Sequence, residues 1–143
     1  MTNLNQLIIK FDYDQNFKDD DFYVSNSNKH IFTLLSQWPK WEKNFLNING
    51  EKFSGKTHLI NIFLKKFNGI KFNANSLTDN DLKIIKVHQN IILENLDEKV
   101  NEKLLYSLLN IIDLENKFII ITSEKALVDI DFSLIDLKSR TKN

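Results

Sequence analysis

Gly50-Glu51-Lys52-Phe53-Ser54-Gly55-Lys56-Thr57 reads G-x-x-x-x-G-K-T, the clearest chemistry in the chain. There are only three glycines, and two of them stand at the motif's two obligatory positions. Glycine there lets the backbone turn tightly enough to aim consecutive N–H groups at phosphate oxygens. Lys56 would reach the β- and γ-phosphates, and the Thr57 hydroxyl would ligate Mg²⁺. A nucleoside triphosphatase also needs an acid at the end of a neighbouring strand to hold that metal. The apolar run Ile91-Ile92-Leu93 ends in Glu94, which supplies the carboxylate.

Asn95 follows Glu94. An amide can orient a water molecule but cannot take its proton. The pair therefore predicts nucleotide binding with slow intrinsic hydrolysis. Thr122 or Ser123, closing the apolar run Phe118–Ile121, would lie near the γ-phosphate. His30, His58 and His88 have no ligand spacing and no partner cysteines, so Mg²⁺ is the metal expected. No Ser-His-Asp arrangement is evident.

These groups need elements to position them. Phe45-Leu46-Asn47-Ile48-Asn49 alternates apolar and polar, a strand signature, immediately before the loop. After it, Ile60, Phe63, Leu64 and Phe67 recur on one helical face. The helix N-terminus adds partial positive charge to the anion site. Upstream, Leu7-Ile8-Ile9 precedes an acidic segment ending in Asp19-Asp20-Asp21, so residues 1–21 read as a flexible arm. Ser25–Asn28 offers N-cap residues for a helix with Ile31, Leu34, Leu35 and Trp38 on one face, ended by Pro39. Downstream, Gly69 precedes a strand over Ile70–Asn73. A weak helical signal surrounds Leu82, Ile84 and Ile85. A helix carries Val100, Leu104, Leu108 and Ile111, and the tail holds Leu134 and Leu137. Alternating strand and helix predicts an α/β sandwich with a mostly parallel sheet, whose ligands bind at the carboxyl ends of the strands.

The 143 residues suit one domain, and the formal net charge is zero. No global field favours nucleic acid, so no direct sequence-specific DNA binding is expected. The absence of cysteine excludes disulfides and thiolate catalysis and fits a reducing cytoplasm. The polar start Met1–Gln6 shows no signal peptide, and no stretch reads as a membrane span. Against eighteen lysines there is a single arginine, Arg140. Only arginine offers a rigid bidentate fork.

Several segments together resemble the DnaA-related AAA+ family, and within it the short Hda class that inactivates the initiator DnaA. Phe22-Tyr23-Val24 with Ser27-Asn28 resembles F-x-V-x-x-S-N, which implies Val24 and Asn28 at the adenine. Trp38-Pro39-Lys40-Trp41 resembles the W-P-x-W of alphaproteobacterial members. Gly55-Lys56-Thr57-His58-Leu59 matches G-K-[ST]-H-L. Glu94-Asn95 resembles the acid-plus-amide Walker B, and Ile121-Thr122-Ser123 the sensor 1 strand end. Asp136-Leu137-Lys138-Ser139-Arg140 resembles D-L-x-S-R, which implies that Arg140 is an arginine finger for a neighbouring subunit's nucleotide.

The resemblance implies a three-layer P-loop AAA+ domain over 22–143 that holds ATP or ADP with Mg²⁺. Its nucleotide contacts would be Gly50, Ser54, Gly55, Lys56, Thr57 and His58, and its metal ligands Thr57 and Glu94. Glu94, Asn95, Thr122 and Arg140 would serve hydrolysis. Gln6-Leu7-Ile8-Ile9-Lys10-Phe11 is similar to the peptide that binds the DNA polymerase sliding clamp, with Gln6, Leu7, Ile9 and Phe11 as contacts. Clamp and DnaA are the implied partners, with a homo-oligomer as a further association. Two departures are Glu94 where Asp is commoner and Ser25 where the initiator has glycine. The chain stops three residues after Arg140, before the family's fifth strand and helical lid, so a lid is expected to be absent. The competing readings are a true initiator or helicase-loader ATPase and a nucleotide-free clamp-binding module.

Overall fold

The computed structural model describes residues 6–10, 44–51, 56–66 and 68–141. Strands β1 (Gln6–Lys10), β2 (Phe45–Asn49), β3 (Ile70–Asn73), β4 (Asn90–Leu96) and β5 (Phe118–Ser123) form one sheet in the order β1-β2-β5-β4-β3. Every neighbouring pair is parallel. The helices are α1 (Lys56–Lys66), α2 (Asp79–Ile85), α3 (Glu102–Leu114) and α4 (Ile135–Thr141), with 3₁₀ turns at Ala74–Ser76 and Leu127–Asp129.

Topology decides which face each helix covers. The path from β2 to β3 crosses the sheet one way, and the path β3 to β4 to β5 comes back. Parallel crossovers are right-handed, so α1 lies on one face and α2 and α3 lie on the other. Burial agrees. Phe45, Ile91, Leu93, Ile119 and Ile121 share a core with Ile85 of α2 and with Leu105, Leu108, Leu109 and Ile112 of α3. The strand residues of opposite parity, Leu46, Ile48, Ile92 and Ile120, are equally buried, and α1 brings the buried Leu59, Ile60 and Phe63. The result is three layers, helix, sheet, helix.

Local chemistry sets the helix ends. Thr78 and Asp81 form a reciprocal capping box at α2, and the Asn101 side chain accepts the Leu104 N–H at α3. After α3, Asn116 takes φ 53°, and the Lys117 N–H returns to the Ile112 carbonyl, closing the helix as a left-handed cap does. At Gly69 a side chain has no room: a Cβ would stand 3.0 Å from the Asn90 carbonyl oxygen and 3.1 Å from Leu64 Cδ2.

Two expectations change. Gln6–Lys10, expected in a flexible arm, is a strand at the end of the described sheet, paired residue for residue with Phe45–Asn49. β2 is a strand as expected, and all five of its residues are buried, as in parallel strands covered on both faces. The buried face of α3 is led by Leu105, Leu108, Leu109 and Ile112, with Leu104 and Ile111 only partly buried and Val100 preceding the helix. The helix expected over 31–38, Pro39 and the acidic segment lie outside the described residues.

Candidate functional site

β2 runs into Gly50, whose N–H donates to the Ser123 carbonyl at 3.0 Å. The first glycine of the phosphate loop is thus fixed across to the end of β5. Ser54 and Gly55 lie outside the described residues, as do Phe11, Val24 and Asn28. Lys56 opens α1, with Thr57 exposed and His58 half-buried in its first turn. From β2 the chain departs to the α1 face. From β5 it departs to the other, where Leu127, Ile130, Phe132 and Leu137 join the α3-side core. Adjacent strands whose continuations diverge leave a crevice at their carboxyl ends, the usual ligand position in such sheets. Gly50 and Thr122 flank it.

Strand alternation sorts the polar side chains at this edge. Glu94 has the parity of Ile92, and Thr122 that of Ile120, so both belong to the α1 side. Glu94 is half-buried, and its Oε1 is shielded from solvent with no hydrogen-bond partner. Thr122, 2 % exposed, accepts the Asn95 N–H at 3.1 Å. Its hydroxyl hydrogen has no acceptor among the described residues. Asn95 takes φ 62°, a left-handed conformation that asparagine tolerates. The β4–β5 register shifts between Leu93 and Leu96 at the same place. The bend leaves the Asn95 side chain exposed at the rim while its backbone is tied to Thr122.

Asn47 and Ser123 have the opposite parity and sit on the α3 side. Asn47, 0 % exposed, donates to the Ile121 carbonyl and to Ser123 Oγ, both at 3.0 Å. Its Oδ1 accepts the Leu127 N–H at 3.3 Å. Ser123 Oγ in turn donates to the Lys125 carbonyl at 2.6 Å. The sequence left Thr122 and Ser123 equivalent, and the fold separates them: Ser123 is committed to structure, and Thr122 faces the side where α1 begins. Nothing in the sequence flagged Asn47.

At the solvent rim, Lys125 Nζ meets Glu98 Oε1 at 2.7 Å. That hydrogen bond lowers the Glu98 carboxyl below its ordinary value, and Glu98 raises the Lys125 ammonium. Arg140 lies on α4, half-buried, with its guanidinium carbon 5.2 Å from the centre of the Tyr106 ring of α3. No group of three potential metal-ligating side chains occurs among the described residues. Magnesium fits this sparse donor set, since it is held by one or two protein oxygens plus substrate phosphates and water. The Glu94 carboxylate, whose Oε1 is shielded and without a partner among the described residues, and the Thr57 hydroxyl are the oxygens that would hold it.

No protein-family model matches the chain. No curated protein matches it either. Solved structures do. AMPPCP-bound DnaA from Aquifex aeolicus superposes with a TM-score of 0.71 at 18 % identity, over 90 % of this chain and 48 % of that one. The fold is that of a DnaA-type AAA+ domain. A replication initiator DnaA bound to AMPPCP and single-stranded DNA gives 0.69 at 18 % identity, over 91 % of this chain and 48 % of that one. A putative primosome component from Streptococcus pyogenes serotype M3 gives 0.65 at 16 % identity, over 94 % and 87 %. The chain spans about half the length of the DnaA structures it matches. In this fold β2 leads into Gly50, while Glu94 lies on β4 and Thr122 on β5. No helix among the described residues is long and apolar enough to cross a membrane.

Proposed function

We propose that this chain is an Hda-like AAA+ regulator of replication initiation, which holds an adenine nucleotide and stimulates ATP hydrolysis by DnaA. One observation carries the nucleotide site. Glu94 offers a shielded carboxylate oxygen with no partner, at the carboxyl edge and on the face covered by the phosphate-loop helix. Such an atom is costly unless a ligand or ion satisfies it. Thr57 and Glu94 would hold Mg²⁺, which when bound neutralises phosphate charge. Lys56 and the loop N–H groups would hold the phosphates, and Thr122 would donate its free hydroxyl hydrogen to a phosphate oxygen or a water. Asn95 can place a water but cannot accept its proton, which supports slow intrinsic turnover.

The regulatory half rests on Arg140 and on residues 6–11. Arg140 would stabilise transition-state charge at the nucleotide of DnaA. Gln6, Leu7, Ile9 and Phe11 would dock on the sliding clamp. Against this docking stands the alternative that the segment simply packs on its own domain, which its pairing as β1 with β2 favours. The test mixes clamp, DNA, ATP-loaded DnaA and this protein. Hydrolysis by DnaA should rise with the native chain and not with Arg140→Ala. Calorimetry should show ADP or ATP binding that needs Mg²⁺; clamp binding without any nucleotide binding would leave only the nucleotide-free module.

A helicase-loader reading has one observation in its favour. A putative primosome component shares the fold, with a TM-score of 0.65 at 16 % identity. Robust intrinsic turnover, or binding to a replicative helicase in place of DnaA, would select it.

A further inference from the structure

We infer that Tyr106 is a latch that stows Arg140 against its own subunit. The inference rests on the finger role proposed above. α3 grips α4 at two places. At the start of α4, the Glu102 carboxylate accepts the Ser133 N–H at 2.8 Å and the Leu134 N–H at 2.8 Å. Tyr106 follows Glu102 by four residues, so the two side chains lie on the same face of α3. At the far end of α4, the Arg140 guanidinium packs over the Tyr106 ring at 5.2 Å, within cation–π range. The helix beneath it is anchored. Leu137 and Thr141 are buried, and Thr141 Oγ1 bonds back to the Leu137 and Lys138 carbonyls.

The arginine itself is not used up. Its Nη1 is shielded from solvent and has no hydrogen-bond partner among the described residues. That nitrogen reaches an anion on another molecule only when the guanidinium moves off the ring. Meanwhile its unmet hydrogen-bonding capacity favours departure once a phosphate is offered. The stack is therefore a resting position with a modest barrier, and losing the ring should free the finger.

The chain has one arginine, so its Nε–Hε group gives a single NMR cross-peak. Native protein and Tyr106→Phe should share a position shifted by the aromatic ring. Tyr106→Leu should move the peak to that of free arginine. In the DnaA assay, Tyr106→Leu should stimulate hydrolysis about two- to five-fold more than native protein, the ratio an exposed cation–π contact sets. Tyr106→Phe should match native protein. A Tyr106→Leu peak at the native position overturns the stack. A shifted peak with unchanged or lower stimulation overturns the latch and makes Tyr106 a support. If Arg140→Ala stimulates as well as native protein, the finger role fails first, and the latch falls with it whatever the cross-peak shows.

Discussion

The two faces of the sheet's carboxyl edge treat polar groups in opposite ways. On the α3 side, Asn47, Ser123 and the Leu127 N–H satisfy one another. On the α1 side, Glu94 Oε1 has no partner, and Thr122 accepts one bond with its own hydrogen unspent. Buried polar groups that close on each other make architecture. Those left open among the described residues each call for an explanation, a ligand being one. The contrast sets Thr122 and Ser123, adjacent and chemically alike, on opposite faces with different surroundings.

The sharpest way to break this comparison is Asn47→Ala. It removes the acceptor of the Leu127 N–H and the donor to the Ile121 carbonyl and Ser123 Oγ, all inside a buried sheet. Stability to urea should fall by about 2–4 kcal/mol. A loss within experimental error would mean that the closed network does not hold β2 to β5.

Glu94→Gln tests the open side. The uncomplexed protein should keep its urea midpoint, because no folded-state partner is lost. Affinity for magnesium–nucleotide should drop about tenfold or more. A destabilised fold with unchanged nucleotide affinity would reverse the two sides. Thr122→Val is a milder case, because it leaves the Asn95 N–H without its acceptor and should cost about 1 kcal/mol. Thr122→Ser should restore most of that, which separates the hydroxyl from the methyl.

The sequence made the strand before the glycine motif, the helix after it and the apolar strands β4 and β5 legible, because each is a local pattern with a mechanical reason. It was silent about the closed network, and the reason is physical. Apart from the Asn49 amide two residues on, Asn47 finds its partners at sequence separations of 74, 76 and 80 residues, so no window along the chain holds the network together. Phe45-Leu46-Asn47-Ile48-Asn49 also imitates a half-solvated strand when its asparagines are in fact buried. In α3, paired apolar residues at 104–105, 108–109 and 111–112 fit two helical phases, and only packing against the sheet picks the one led by Leu105. The left-handed turn at Asn95 and the Arg140–Tyr106 stack are tertiary outcomes that residue types alone do not encode.

The smallest effect is expected at the rim, where the solvent-exposed side chains of Glu98 and Lys125 bridge the turns after β4 and β5. The Glu98 carboxyl is lowered from 4.5 by its bond to Lys125, so the folded state binds fewer protons than the unfolded chain on the acid side. Its stabilisation is present above that value and fades as pH falls through the lowered folded one. Lys125 is raised from 10.5 by Glu98, so its share is present below that value and fades as pH climbs through the raised one. The difference in urea midpoint between native protein and Glu98→Gln should accordingly be greatest between about pH 5 and 10 and close on both sides. Salt should shrink it, because exposed charges are screened. A difference that survived at low pH or in high salt would show that Glu98 acts through its shape and not its charge. The rim would then belong with the closed, architectural side of the edge.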